Sequence, residues 1–327
     1  MINFLYRFDP RFVLLVVAAI AATVAATGLR YTARRSIVDA TIVVDLTGSM
    51  NARDAGVAGK PVSRIEAVRA AVRDLAQSLP CRSRLGLGIF TERRSFLLFE
   101  PADICANFDA FDGAISDLDW RMAWEGDSYI AKGLYSAIDV AASAKSDLIF
   151  FSDGHEAPPI PASGIPDFEG VPGKVNGLIV GVGGSGKSPI PKFDDDGRET
   201  GVISAADVPH DNRHGLPGKS VESAAGWHPR NAPFGAQAVA GEEHLTSVRS
   251  EHLRTLASKT GLSYLELNAG RNLRDAVLRS GTLRMADVPE NAAPWFAIAA
   301  LASLLAAYGI SVSALRRASQ KLSTLVR

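Results

Sequence analysis

Three oxygen-bearing side chains follow a strongly apolar run early in the chain. Asp45, Thr47 and Ser49 alternate directly after residues 40–44, whose apolar and β-branched side chains predict a buried strand. Because the three alternate, their oxygens can converge on one point in the loop that follows. Such a donor set favours a hard divalent cation over a soft metal, with Mg²⁺ expected first and Mn²⁺ or Ca²⁺ as alternatives.

Two later residues are expected at the same edge of the molecule. Ser128 stands directly before a predicted helix, and Asp153 ends a second apolar run at residues 147–152. In an open parallel sheet, ligands collect at the carboxyl ends of strands where the strand order reverses. Each residue also has a plainer role, since Ser128 is expected to cap its helix and Asp45 could cap its own loop.

The elements that must position these residues alternate between strands and amphipathic helices. Helices are predicted over residues 64–79, 108–118, 129–144, 242–260 and 273–278, and strands over residues 36–45, 84–91, 95–99, 147–153, 175–183 and 263–267. This alternation predicts an α/β fold with an open, mostly parallel, doubly wound sheet. Residues 184–241 are rich in Gly, Pro, Asp and His and predict an irregular insertion.

Long apolar runs flank this domain. Residues 12–29 and 294–315 carry no charge and reach the roughly 18 to 20 residues that a membrane-spanning helix needs. The basic tail at residues 316–327 predicts a cytoplasmic C-terminus. If both runs span the inner membrane, residues 1–11 are cytoplasmic and the domain at residues 36–283 is periplasmic. A cleaved signal peptide is the alternative for the first run.

Composition argues against nucleic-acid partners and leaves open whether the two cysteines form a disulfide. The 35 basic residues balance the 35 acidic ones, and aromatic residues are few, so nucleic-acid binding has no basis in the sequence. Cys81 and Cys105 fall in the same small region and could pair in an oxidising compartment. Two unpaired, buried thiols are the other possibility.

The alternating residues and their later partners resemble the metal-ion-dependent adhesion site (MIDAS) of von Willebrand factor A (VWA) domains. That site combines an Asp-x-Ser-x-Ser strand end, a later Thr before a helix and an Asp-Gly after a strand. By this resemblance the metal ligands are Asp45, Thr47, Ser49, Ser128 and Asp153. Thr47 stands where Ser is usual and Ser128 where Thr is usual, and both keep the hydroxyl. The resemblance implies a non-enzymatic domain whose cation takes an acidic group from a protein partner.

A closer resemblance is to the MxaL-type proteins found with methanol dehydrogenase genes. It is carried by residues 79–91, 120–128, 152–159, 188–197, 227–230 and 241–245. It implies a membrane-tethered periplasmic factor for assembling a quinoprotein dehydrogenase and for placing its Ca²⁺. The alternative context is a VWA subunit of a membrane complex that works with a cytoplasmic AAA+ chaperone of the MoxR kind.

Two enzymatic or nucleotide-binding interpretations are weak. Residues 181–188 satisfy the P-loop pattern, but Pro189 and Pro191 follow at once, so the helix that would face the phosphates is not expected. A phosphohydrolase of the haloacid-dehalogenase kind, with Asp45 as nucleophile, needs an acid two residues later, where Thr47 stands. We therefore predict neither nucleotide binding nor catalysis.

Smaller signals remain. His155 and Glu156 are interpreted as part of a solvated loop, with a contact to a partner or to the metal's surroundings as the alternative. Residues 194–197 lack the spacing of a calcium loop and are interpreted as a solvated acidic turn. Large side chains in the loop before Ser128 predict either an interaction surface or packing beneath the loop. They are Trp120, Met122 and Trp124.

Overall fold

The computed structural model describes most of the chain in two compact units. The described residues are 9–57, 60–123, 127–158, 160, 164–194, 196–204, 207, 244–267 and 272–325. Residues 36–286 form one unit, and residues 1–35 with 287–327 form the other.

The described elements alternate as follows. The helices are α1 (Pro10–Ala26), α2 (Arg64–Ser78), α3 (Phe108–Ser116), α4 (Ile130–Ser143), α5 (Ser250–Thr260), α6 (Leu273–Ser280) and α7 (Ala293–Leu325). The strands are β1 (Arg30–Asp45), β2 (Ala55–Val57), β3 (Lys60–Val62), β4 (Arg84–Thr91), β5 (Arg94–Asp103), β6 (Asp147–Ser152), β7 (Gly177–Gly181), β8 (Ser188–Pro189), β9 (Pro191–Phe193), β10 (Glu199–Val202), β11 (Leu245–Thr246), β12 (Ser263–Glu266) and β13 (Leu283–Asn291).

The larger unit is built on a mixed, mostly parallel sheet. Its strands run in the order β12-β7-β6-β1-β4-β5, and β13 pairs with β1 outside that order. The pairs of β1 with β4 and β6, of β6 with β7 and of β7 with β12 are parallel, whereas β4 and β5 form an antiparallel hairpin. The predicted mostly parallel α/β fold is confirmed, and β1 lies at its centre.

Helices cover both faces of this sheet because side chains along each strand alternate. Ile42 and Val44 of β1 belong to a core that also contains apolar side chains of α2, α3 and α6. Val43 between them belongs to the core under α4 and α5. All three side chains are fully buried. Because both faces of β1 are covered, this part of its sequence is continuously apolar, as is typical of central parallel strands.

Several predicted boundaries were wrong. β1 begins at Arg30, and β13 was not foreseen, because its polar and charged sequence lacks the alternation of a half-buried strand. The predicted helix over residues 242–260 begins only at Ser250, since residues 245–246 form β11, which pairs with β8. The predicted insertion includes β8, β9 and β10, whereas most of its remainder, residues 208–243, lies outside the described residues.

The two cysteines are joined. Cys81, after α2, and Cys105, after β5, form a disulfide that closes a loop with a sequence separation of 24 residues. This settles the alternative that the sequence left open.

The smaller unit contains the apolar helices. α1 packs against α7. Of the described residues, the segment Ala293–Ile310 within α7 is long and apolar enough to cross a membrane, and α1, with 17 residues, is apolar but shorter. The tail predicted to begin at residue 316 continues the α7 helix to Leu325. The predicted span at residues 12–29 stays a prediction.

Candidate metal centre

The carboxyl ends of β1 and β6 lie side by side. Val44 pairs in register with Phe151, so Asp45 and Ser152 end their strands at the same level. The Ser152 hydroxyl donates to Asp45 Oδ2 at 2.7 Å, and both residues are fully buried. The sheet order thus places Asp45 beside the strand that leads into Asp153.

The loop after β1 folds back on Asp45. Thr47 donates to Asp45 Oδ1 twice, from its backbone nitrogen at 2.9 Å and from its hydroxyl at 2.7 Å. A short 3-10 helix, Gly48–Asn51, then places the Ser49 hydroxyl 3.5 Å from that of Thr47. The structure therefore brings the three alternating residues into one buried cluster.

Ser128 does not cap α4, contrary to the role expected of it as a helix-starting serine. Tyr129 occupies the cap position, and its side chain does not cap the helix. The Glu156 carboxylate instead accepts from the backbone nitrogens of Ile130 and Ala131, each at 3.1 Å. An acidic side chain suits this place because it also meets the positive end of the helix dipole. Capping of α4 therefore does not explain why a serine stands at position 128.

The Ser128 hydroxyl is buried and makes no hydrogen bond among the described residues. Its backbone is fixed, since Ser128 N donates to Ala157 O at 2.6 Å and Ala157 N donates back to Ser128 O at 2.9 Å. A parallel bridge to Glu92 ties it to the end of β4, two residues beyond Phe90, the register partner of Asp45. Ser128 is therefore held at the strand edge where Asp45 lies.

Thr91 is a buried residue at this edge that the sequence did not single out. It is the last residue of β4 and is 1% exposed, and its hydroxyl also lacks a hydrogen-bond partner in the described part of the chain. Buried hydroxyls are nearly always hydrogen-bonded in folded proteins. Two unbonded hydroxyls at one edge, Thr91 and Ser128, therefore indicate that this edge is built to contact something else.

Asp153 is already engaged within the protein. Its Oδ1 accepts from His155 N at 2.9 Å, and its Oδ2 accepts from the Thr246 hydroxyl at 3.1 Å. The same Oδ2 forms a fully buried ion pair with Arg64 Nη1. Arg64 could not be singled out from the sequence, because no local pattern marks the first residue of an amphipathic helix as the partner of an aspartate far along the chain.

The surroundings of Asp45 disfavour its charged form. Burial, and next the nearby charge of Asp153, raise the pKa of Asp45 to about 7, although hydrogen bonds from Thr47 and Ser152 oppose the shift. A buried carboxylate with a raised pKa is an unfavourable charge that a bound cation would stabilise.

The donors at this edge fit a hard divalent cation. They are carboxylates and hydroxyls, the oxygen ligands that Mg²⁺, Mn²⁺ and Ca²⁺ prefer. Across the described residues, no three His, Cys, Asp or Glu side chains converge as a metal cluster, so this edge offers no thiolate and imidazole site of the zinc type. A cation and its bound waters would supply the partner that the buried Ser128 hydroxyl lacks.

The residues after Asp153 are not a solvated loop, and that interpretation was wrong. His155 is 3% exposed, and the side chains of Glu156 and His252 are each 10% exposed. His252 Nε2 lies 3.0 Å from Glu156 Oε1. Because this pair sits on the start of α4, it fixes the backbone that follows Ser128.

The aromatic loop before Ser128 packs inward where it is described. Trp120 stacks on Phe193 of β9 with ring centroids 4.9 Å apart, and both Trp120 and Met122 pack against the core on the α2 side of the sheet. This favours the packing alternative for these two side chains. Trp124 lies outside the described residues.

Two other motifs take the form expected of them. Strand β8 occupies residues 188–189, where a P-loop helix would begin. In the acidic turn, Asp194 accepts from Arg198 N at 2.8 Å, and the exposed Asp196 pairs with the Arg198 side chain. Each observation matches the prediction from sequence, and nucleotide binding itself stays untested.

One family model matches the part of the chain that carries the candidate site. Residues 40–155, which include Asp45, Ser128 and Asp153, match the family model of the von Willebrand factor type A domain. The mixed sheet with helices on both faces fits the α/β fold of that class. No curated protein matches the chain.

Solved structures with a similar arrangement are distant in sequence. An aerotolerance-related membrane protein from Bacteroides fragilis is 14% identical, with 74% of this chain and 98% of that chain covered and a TM-score of 0.45. A membrane-spanning protein from Vibrio fischeri is 19% identical (72% and 92% covered, TM-score 0.27). Mussel byssus proximal thread matrix protein 1 with a zinc-occupied MIDAS motif is 14% identical (47% and 40% covered, TM-score 0.30). All three TM-scores lie below 0.5, so nothing about function is transferred from these proteins.

Proposed function

We propose that this chain is a membrane-anchored, non-enzymatic VWA-type protein that holds a divalent cation and, through it, an acidic group of a protein partner. The cation, Mg²⁺ first and Mn²⁺ or Ca²⁺ as alternatives, is held by two carboxylates and three hydroxyls. These ligands are Asp45, Thr47, Ser49, Ser128 and Asp153.

The unbonded hydroxyl of Ser128 carries this proposal. Glu156 takes over the cap of α4, so the only use of Ser128 within the described protein is its backbone pairing. A hydroxyl buried without a partner costs about 1–3 kcal/mol. That cost is offset when the hydroxyl ligates a cation, and no described side chain offers another way to offset it.

Two further observations support a location outside the cytoplasm. The disulfide between Cys81 and Cys105 is the kind of bond that persists in an oxidising compartment. The apolar segment Ala293–Ile310 has the length of a membrane span, and basic residues follow it in sequence. We infer a domain tethered to the inner membrane and facing the periplasm.

Replacing Ser128 with alanine tests the proposed ligand set. We expect Mg²⁺ or Mn²⁺ affinity to fall by about tenfold or more, the weight of one 1.4 kcal/mol contact. The cation-free stability should stay equal or rise, because the removed hydroxyl makes no protein hydrogen bond. Calorimetric titration of the full chain in detergent micelles gives the affinity, and thermal unfolding gives the stability.

Ser143→Ala is the matched control. Ser143 is exposed at the far end of α4, and its hydroxyl donates to the Asp139 backbone oxygen. The Ser143→Ala substitution should leave cation affinity unchanged. If Ser128→Ala bound the cation as tightly as the wild type, Ser128 would not be a ligand. A wild-type chain that bound no divalent cation would overturn the proposal as a whole.

For the partner, we propose a quinoprotein dehydrogenase whose Ca²⁺ this protein helps to place, following the MxaL-type resemblance of the sequence. In the organism that carries this chain, a deletion strain complemented with Asp45→Ala is expected to lose dehydrogenase activity at low Ca²⁺. Excess Ca²⁺ should restore part of it, and Asp196→Ala, an exposed acidic residue, should behave as wild type. Full activity of the Asp45→Ala strain at low Ca²⁺ would contradict this role.

A further inference from the structure

Arg64 is the largest fully buried side chain of the domain. It is the first residue of α2, and a capping box formed by Ser63 and Glu66 fixes its backbone. Its backbone nitrogen also donates to Ala52 O at 3.1 Å, which ties it to the loop after β1. A guanidinium placed this rigidly in the interior must have charged or polar partners, because an unpaired buried charge is very costly.

The Arg64 side chain donates hydrogen bonds to residues of the candidate metal centre on one side and to Asp54 on the other. Nε and Nη2 donate to the two Asp54 oxygens at 2.8 Å and 2.6 Å. Nη1 points the other way and donates to Asp153 Oδ2, to the Thr246 hydroxyl at 2.9 Å and to the backbone oxygen of Ser49 at 3.3 Å. Arg64 therefore contacts two of the residues that we propose as metal ligands.

This arrangement places a positive charge in contact with Asp153, one of the proposed cation ligands. Asp54 and Asp153 share the one guanidinium, and with the carboxyl of Asp45 the cluster carries two net negative charges when all three carboxyls are ionised. A divalent cation would bring the cluster to neutrality. It would also be repelled by Arg64 and would find the Oδ2 of Asp153 already occupied.

We propose that Arg64 is an internal counter-ion that competes with the divalent cation for Asp153 and so makes the partner-free domain a weak cation binder. The inference rests on the proposed cation site. A carboxylate supplied by the partner would add the negative charge that Arg64 offsets, so cation and partner would bind cooperatively. By linkage, each would then strengthen the binding of the other by the same factor.

A purely structural role for Arg64 makes the opposite prediction. If the side chain only braces the loop against Asp54 and Asp153, removing it should loosen the loop and weaken cation binding. If it is a counter-ion, removing its charge should strengthen cation binding. The sign of the change in affinity therefore separates the two roles.

Arg64→Gln tests this inference in the full chain, with Mn²⁺ titrated by calorimetry or by loss of its free-ion magnetic resonance signal. We expect Mn²⁺ to bind about tenfold more tightly than to the wild type, since charge repulsion at close range in a protein interior exceeds 1.4 kcal/mol. Arg64→Lys keeps the charge but not the two-pronged geometry, and should stay within about threefold of the wild type. Arg73→Gln, which removes a half-exposed arginine of the same helix, should change nothing.

If Arg64→Gln does not fold, the same comparison is made in an Asp54→Asn background, where the two-pronged ion pair is already broken. Asp54→Asn/Arg64→Gln should then bind Mn²⁺ more tightly than Asp54→Asn alone. Equal or weaker binding on loss of Arg64, with wild-type binding intact, would overturn the counter-ion role and leave the proposed function standing. Absence of Mn²⁺ binding by both the wild type and Arg64→Gln would overturn the counter-ion role and the proposed function together.

Discussion

Asparagine in place of Asp45 is expected to abolish divalent-cation binding while the domain stays folded. The side chains have the same shape, and the hydroxyls of Thr47 and Ser152, which now donate to Asp45, can turn to suit an amide. The carboxylate is the one candidate ligand that is both charged and free of a buried ion pair, because Asp153 is paired with Arg64. We expect an affinity loss of about 100-fold or more, equal to about 2.7 kcal/mol.

The same substitution should change how stability depends on pH. The pKa of Asp45 is raised to about 7, chiefly by burial. A carboxyl whose pKa is higher in the folded state favours folding most below its unfolded pKa, near 3.9, and this contribution is lost as pH rises through about 7. The cation-free wild type should therefore lose on the order of 2–4 kcal/mol between pH 5 and pH 8. Asp45→Asn should lose much less.

Thermal unfolding in chelator and in Mg²⁺ across this pH range measures both effects. Because ligating carboxylates must be deprotonated, stabilisation of the wild type by Mg²⁺ should grow as pH rises through about 7. Asp147→Asn is the matched control, since Asp147 is a buried aspartate at the opposite end of β6, bonded to Thr282. It should keep full cation affinity. Cation binding by Asp45→Asn at the wild-type level would contradict the site.

Local sequence patterns were enough to predict the first three residues of the candidate site. Asp45, Thr47 and Ser49 lie within five residues, so their spacing alone brings them together once β1 ends. The strand that precedes them is recognisable because a central parallel strand is apolar on both faces. The mostly parallel sheet, the β4–β5 hairpin and the helices α2 to α4 follow from similar short-range periodicity.

Pairings distant in sequence could not be predicted in the same way. Glu156 caps α4 from 25 and 26 residues away, and this contact, rather than local propensity, decides what Ser128 does. Arg64 meets Asp153 across 89 residues. A local pattern can indicate that a residue is polar or helix-starting, but not which buried charge it neutralises. The candidate site therefore follows from sequence as a set of donors, whereas its electrostatics follow only from the fold.

The packing of α4 onto the sheet is the final determinant of the site, and Gly133→Ala should disturb it strongly. A Cβ at position 133 would lie 2.0 Å and 2.2 Å from ring carbons of Phe90, which is fully buried and is the register partner of Asp45. Phe90 has little room to turn, because its ring lies against that of Phe150 with centroids 5.9 Å apart. We expect a loss of about 1–3 kcal/mol in the free energy of unfolding from overpacking.

The sign of this effect is informative because alanine normally favours a helix over glycine by about 1 kcal/mol. Gly113→Ala in α3 is the control: a Cβ there meets nothing within 4 Å, so the substitution should leave the protein equally or more stable. Gly133→Ala should also weaken cation binding, since moving α4 away from Phe90 moves Ser128, two residues before the helix. Chemical unfolding and Mg²⁺ titration of both variants measure this. If the Gly133→Ala variant were as stable as the wild type and kept its cation affinity, the prediction would be wrong, and α4 could shift without disturbing the strand edge. Close contact between Gly133 and Phe90 is therefore expected to couple core packing to the position of a metal ligand.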